Sequence, residues 1–241
     1  MSRSEAEIPA PDPALLEELV VANRILSHQQ VVDAFGHISV RHPKDPGLYL
    51  MARHLAPGLV TAQDIVTFDL DSNPLVNMAP RYYSERYIHG EIYKLRPEVH
   101  SVVHCHARPL IPFGVAKGAR LQPIYHMSAF LGLGVPVFEI RDAAGMTDML
   151  VRDAERGQAL AHTIGDKPVV LMRGHGATMV GASIKEAVYR AVYTAENAIL
   201  QMEAMRLGDV EFLAREEAEL ATAYMGTTFE RAWAYWKRLA T

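Results

Sequence analysis

The chain has 241 residues, close to the upper range for one α/β domain, and its 49% hydrophobic composition allows a large core. Its 24 basic and 28 acidic residues give a formal net charge of −4, which argues against general nucleic-acid or anionic-membrane binding. The single cysteine excludes an intrachain disulfide and fits a reducing, cytoplasmic setting.

Residues 1–13 are polar and proline-rich, with no apolar signal core. Residues 1–12 read as a loosely docked arm and 13–241 as one domain. No apolar run reaches transmembrane length, since 129–138 is broken by Gly132, Gly134 and Pro136. A soluble protein with no membrane partner is expected. Asp12-Pro13 supplies an N-cap and a first-turn proline, and Leu15, Leu16, Leu19, Ala22 and Leu26 give the helix after it an apolar stripe. Residues 36–41 alternate like a strand and stop at His42-Pro43. The turn Asp45-Pro46-Gly47 leads to a second strand over 48–52, so a hairpin is expected, with Arg53 and His54 just beyond it. Thr61 caps a short turn, 65–70 reads as a strand, and Asp71-Ser72-Asn73-Pro74 is turn chemistry.

Ser84 opens a helix with Glu85 in its first turn, and Pro97 closes it. Residues 99–106 read as a buried strand. A short helix is expected over 109–117, strands over 121–125 and 135–140, and an amphipathic helix from Thr147-Asp148 to about Gly165. A further strand runs to Arg173. The capping box of Ser183 and Glu186 opens a long helix to 207, which Gly208 ends. Residues 211–240 read as helical, interrupted near Gly226. With no internal repeat or low-complexity linker, the simplest architecture is one α/β domain with helices around a mixed sheet.

The chemistry concentrates in His104-Cys105-His106. Side chains alternate faces along a strand, so His104 and His106 point together and Cys105 points away, into the core. Two imidazoles on one face reach a single metal ion, and an ion needs more ligands than two. The best third candidate is His175, delivered by a strand and flanked by Gly174 and Gly176. Three neutral imidazoles leave coordination positions open for water or substrate oxygens. Zinc is the default divalent ion for such a set, and manganese, iron or cobalt also fit. Glu85 is the carboxylate placed beside the ion; a charge complementing a helix N-terminus is its plainer alternative.

Glu85 on a helix, Val103-His104-Cys105-His106 and Arg173-Gly174-His175-Gly176 together resemble the class II aldolase/adducin family over about residues 15–207. The resemblance implies a three-layer α/β/α single domain with a central mixed, largely antiparallel sheet. It also implies a divalent metal on His104, His106 and His175, with Glu85 moving protons at the reacting carbon. A homotetramer with active sites at subunit interfaces is implied as well. Sugar-phosphate aldolases of the family carry Gly-Asn, a threonine/serine/glycine segment and a serine pair where this chain has Gly36-His37, Met51-Ala52-Arg53-His54 and Tyr83-Ser84. A small neutral phosphate cradle is thus exchanged for bulky cationic and aromatic groups, which suit carboxylates and flat rings.

That pattern, with segments 34–43, 85–93 and 137–142, resembles the decarboxylase branch of the family. It implies a metal-dependent carboxy-lyase acting on a hydroxylated aromatic or heteroaromatic ortho-dicarboxylate. A sugar-phosphate aldolase or epimerase is the alternative. A non-enzymatic adducin-like scaffold fits less well, because such proteins tend to lose the histidines that are all present here. His37, Arg53 and His54 are expected to meet the substrate's carboxylates and ring oxygens. Ser39, Arg86, His126 and Tyr193 complete the expected substrate-binding set, with a solvated charge the plainer alternative for Arg86 and core packing for Tyr193.

Overall fold

The computed structural model describes residues 9–76 and 81–241, so most of the expected arm lies outside the described residues. The first helix, α1 (Pro13–His28), begins as its chemistry dictates, with the Ala14 N–H donating to Asp12 Oδ1 at 2.9 Å. The hairpin forms from β1 (His37–Arg41) and β2 (Leu48–Ala52), and β3 (Ile65–Asp69) follows a short 3₁₀ turn capped reciprocally by Thr61 and Asp64. A 3₁₀ turn, Ser84–Arg86, leads into α2 (Tyr87–Leu95) and then β4 (Ser101–Cys105). The chain continues through α3 (Ile111–Val115), β5 (Val137–Phe138), α4 (Ile140–Ala144) and α5 (Ala154–Ile164). It ends with β6 (Val169–Met172), β7 (Gly176–Gly181), α6 (Ile184–Leu207), α7 (Arg215–Met225) and α8 (Phe229–Ala240).

The strands make one seven-stranded sheet in the order β3-β2-β1-β4-β7-β6-β5. Every pairing is antiparallel except β5 with β6, so the sheet is mixed and largely antiparallel. α1, α6 and α8 pack together on one face, and α2 pairs with α5 on the other. The central strands are buried on both faces, which makes β1, β2, β4, β6 and β7 continuous buried runs. Cys105 lies in this core, as strand alternation requires. Among the described residues no helix is long and apolar enough to cross a membrane.

Four elements differ from expectation. Residues 121–125 are extended but join no strand. Asn197 and Gln201, one helical turn apart on α6, bond the backbone of Arg120, Gln122 and Ile124 in place of a neighbouring strand. The strand expected over 135–140 shortens to two residues, because Glu139 caps α4. The helix expected from Thr147 starts only at Ala154, where the Asp153 side chain accepts from the Arg156 N–H. β7, unanticipated, pairs with both β4 and β6; its glycine ends and mixed composition carry little strand signal.

Candidate metal centre

Sheet register builds the site. His37 on β1 and Thr178 on β7 both lie opposite His104 on β4, so the three form one row across the sheet on a shared face. His106 follows just past the end of β4. His175 sits in the tight turn from β6 to β7. Gly174 takes φ +63 there, the left-handed region that glycine enters without strain. Gly176 is confined by β4, since a Cβ on it would lie 2.0 Å from the Cys105 carbonyl oxygen. The glycines that flank His175 are what allow β7 to close against β4 and bring its imidazole to the other two.

The imidazoles meet Nε2 to Nε2, His104 to His106 at 3.1 Å and His106 to His175 at 2.9 Å. Glu85 Oε2 lies 3.5 Å from His104 Nε2 and 3.3 Å from His175 Nε2. One donor atom from each of the four residues falls within 4.8 Å of all the others. Glu85 is buried, and its second oxygen, Oε1, accepts from the Val151 N–H at 3.0 Å. His175 Nδ1 lies 2.9 Å from the Met149 carbonyl oxygen and therefore donates to it. In the neutral ring that leaves a bare lone pair on Nε2, aimed at the cluster. His104 Nδ1 has Thr178 Oγ1 at 3.3 Å. Lone pairs and a carboxylate converging in a buried space need a proton or a cation between them, and this nitrogen-rich set fits a divalent metal.

Electrostatics favour the neutral form at two of the three imidazoles and the charged form at the third. Burial, reinforced by the neighbouring imidazoles, holds His106 down at about 4. Burial also lowers His104, against the pull of Glu85. His175 is less enclosed, so its hydrogen bond to Glu85 outweighs burial and raises it. Burial pushes the Glu85 carboxyl up, but hydrogen bonds and charge from His104 and His175 overcome that and hold it well below the usual range.

The expected substrate-binding residues divide. The His37 ring lies 5.1 Å from that of His104, centroid to centroid, and 4.7 Å from that of Tyr83. His54 also packs against Tyr83, ring centroids 5.7 Å apart. Arg53 is anchored through Nε to Asp64 at 2.7 Å. Ser39 is fully buried and spends its hydroxyl on His89 and Tyr93. Arg86 is directed to the carbonyls of Ser72 and Tyr83 and across the Tyr87 ring, where it braces the start of α2. His126 is exposed beside Tyr125, and Tyr193 packs among Tyr189, Tyr125 and Trp236. Within one chain these last two do not join the cluster.

Sequence reasoning passed over His89, Tyr93 and the loop carrying Met149 and Val151. A signal existed for the first two: Glu85, His89 and Tyr93 are spaced at i, i+4 and i+8, one stripe of the helical segment. The loop gives no such signal, because it acts through backbone atoms.

A sheet flanked by helices, carrying a three-histidine cluster beside a buried carboxylate, defines the class: an α/β protein with a candidate metal site. The chain belongs to the family described as Class II Aldolase and Adducin N-terminal domain, whose model matches residues 17–202. It is 40% identical over 238 residues to Decarboxylase tropJ of Talaromyces stipitatus, covering 89% of each chain. It is 32% identical over 191 residues to the 3,4-dihydroxyphthalate decarboxylase of Arthrobacter keyseri, covering 73% of each. Among solved structures, an aldolase II superfamily protein from Pseudomonas syringae superposes with a TM-score of 0.79 at 22% identity, over 98% of this chain and 95% of that one. An L-fuculose 1-phosphate aldolase from Glaciozyma antarctica gives 0.75 at 20% identity, over 97% and 93%. These two likenesses establish the fold.

Proposed function

We propose that the protein is a divalent-metal-dependent decarboxylase of a hydroxylated aromatic or heteroaromatic ortho-dicarboxylate. The observation that carries this is the complete Glu85, His104, His106, His175 cluster, in a chain whose relatives include named decarboxylases. The wall beside the cluster supports the substrate class. His37 and His54 both contact the Tyr83 ring at a tilt, with Arg53 next to His54 in the chain, and such aromatic and cationic groups suit a flat anionic ring.

His104, His106 and His175 would hold the ion. When bound, a divalent ion supplies Lewis-acid stabilisation for the negative charge that builds on a ring oxygen as the carboxylate is lost. Glu85 is set for the proton work. Its Oε1 is pinned by Val151, and Oε2 lies beside the Nε2 atoms of His104 and His175. Ionised, it accepts the ring-hydroxyl proton and returns it to the carbon that bears the departing carboxylate. The carbon–carbon electron pair then flows back toward the ring oxygen, carbon dioxide leaves, and a solvent proton restores the phenol. Arg53 retains terminal guanidinium nitrogens free of hydrogen bonds among the described residues, available to a second carboxylate. A homotetramer would cover the exposed Leu220, Tyr224 and Tyr235 of α7 and α8.

The test incubates the metal-loaded protein with hydroxyphthalates, hydroxypyridine dicarboxylates and sugar phosphates, following carbon dioxide release. Glu85→Gln is expected to lose about 100-fold or more in turnover, the scale of a general acid–base group, while binding metal normally. Near-normal turnover removes Glu85 from the chemistry, and cleavage of sugar phosphates alone overturns the substrate class.

A further inference from the structure

A row of buried polar groups runs away from the cluster into the layer between β1 and α2. His37 Nδ1 lies 2.6 Å from His89 Nε2, and His89 Nδ1 lies 2.6 Å from Ser39 Oγ. Ser39 Oγ in turn lies 2.7 Å from the Tyr93 hydroxyl. All four residues are 4% exposed or less. None of these contacts is needed to hold a metal.

The direction of the protons along this row is determined. Among the described residues the Tyr93 hydroxyl has one hydrogen-bond acceptor in reach, Ser39 Oγ, and the neighbouring Val102 N–H is itself a donor. A buried O–H left without an acceptor loses its solvation with nothing in return, so Tyr93 donates to Ser39. The Ser39 proton then has one place to go, the Nδ1 of His89. A neutral imidazole that accepts at Nδ1 carries its proton on Nε2, so His89 donates to His37 Nδ1. By the same rule the His37 proton sits on Nε2. Any other arrangement orphans either the Tyr93 or the Ser39 hydroxyl proton. His37 Nε2 is on the ring side away from His89, and it makes no hydrogen bond within the described residues.

We propose that Tyr93, Ser39 and His89 form a one-way hydrogen-bond relay that fixes His37 as its Nε2–H tautomer and presents that N–H as a neutral donor to a substrate carboxylate or carbonyl oxygen at the cluster. His37 contacts the substrate in this scheme, and the other three are positioning residues. As a donor at Nε2, His37 takes no part in holding the metal, although its ring adjoins that of His104. The proposal rests on the reading that a carboxylate-bearing molecule binds here.

Two measurements test it on the zinc-loaded protein, zinc being diamagnetic. Long-range proton–nitrogen spectra of histidine-labelled protein read the tautomers without any substrate. His37 and His89 are both expected to carry their proton on Nε2, with a nitrogen–nitrogen coupling across the bond from His89 to His37. In Ser39→Ala, both rings are expected to shift toward the average of two tautomers, and Ser39→Thr, which keeps the hydroxyl, is expected to retain the wild-type pattern. A proton on Nδ1 of either ring in the wild type overturns the relay, as does a Ser39→Ala spectrum unchanged at both rings. Calorimetric titration with phthalate tests what the N–H is for. His37→Leu is expected to weaken binding about tenfold, the loss of one hydrogen bond to a charged group, and His37→Gln, with an amide N–H near the same place, to recover most of it. Equal affinity in His37→Leu overturns the donor role. Wild-type protein that does not bind phthalate overturns that role and the substrate reading together, and leaves the spectroscopic result to stand or fall by itself.

Discussion

His89 makes the fold sensitive to acid in a way that can be measured. Its side chain is fully buried against Ser39 and His37, and burial, with His104 adding to it, pushes its pKa down to about 3. The unfolded chain binds a proton at this residue near the ordinary value of about 6.5. Between those values the unfolded state holds the extra proton, so lowering the pH favours unfolding. The contribution is fully present above pH 6.5 and is lost as pH falls from there toward 3. At pH 5, 1.5 units below the ordinary value, about 1.4 kcal/mol per unit gives a loss of about 2 kcal/mol. With an m-value of about 2–3 kcal/mol/M, the urea midpoint should fall by about 0.7–1 M between pH 7.5 and 5 on account of His89 alone. Other histidines of the cluster titrate too, so the quantity to measure is the difference in slope between wild type and His89→Gln. The variant starts less stable but should lose about 2 kcal/mol less over that interval. Parallel curves for the two proteins would refute the assignment of a neutral, proton-refusing His89.

Two further outcomes follow from the cluster itself. Chelation of the bound ion should lower the melting temperature by about 5–10 °C, because an ion held at about 100 times its dissociation constant contributes about 2.7 kcal/mol; adding zinc back should restore it, and melting indifferent to verified metal removal would contradict a metal centre built from the fold. Gly176→Ala forces a Cβ to within 2.0 Å of the Cys105 carbonyl oxygen, so β7 must move off β4 just where His106 begins. The expected cost is about 2–4 kcal/mol of stability together with a loss of metal affinity, read by urea unfolding and competition with a chromogenic chelator; a variant equal to wild type in both would show that the turn relaxes freely.

What was legible in the sequence is what side chains do over a few residues. Asp12-Pro13 and Ser183 with Glu186 start their helices as their capping chemistry requires. The alternation through His104-Cys105 turns Cys105 to the core and His104 to the site, and His106, just past the end of β4, keeps the facing that alternation gives it. Where one element's side chains replaced another's backbone, the reading failed. Residues 121–125 have strand-like composition and an extended path, yet Asn197 and Gln201, more than seventy residues later, supply their partners. The attachment of Arg53 to Asp64 is not legible in the sequence, because it depends on a turn that brings the two together. Ser39 lies two residues after His37 on β1 and so shares its face. His89 with Tyr93 lies over it.

The segment between α4 and α5 shows why part of a site can leave no trace in residue types. Met149 adopts φ +68, a conformation that costs a non-glycine residue energy, and its carbonyl receives the His175 N–H. Two residues on, the Val151 N–H holds Glu85 Oε1. One stretch of backbone thus fixes the third imidazole and the carboxylate, while β4 fixes the other two rings. Glu85 and His175 are therefore coupled mechanically: any movement of this loop displaces both together with respect to His104 and His106. The Thr147 hydroxyl accepts from the Met149 N–H, the Asp148 carboxylate accepts from the Leu150 N–H, and the Val151 side chain is buried in the core, so side chains also help to hold the loop's path. A helix beginning at Thr147 would have spent these same N–H and carbonyl groups on its own first turns. The delayed start of α5 is what leaves them for the site.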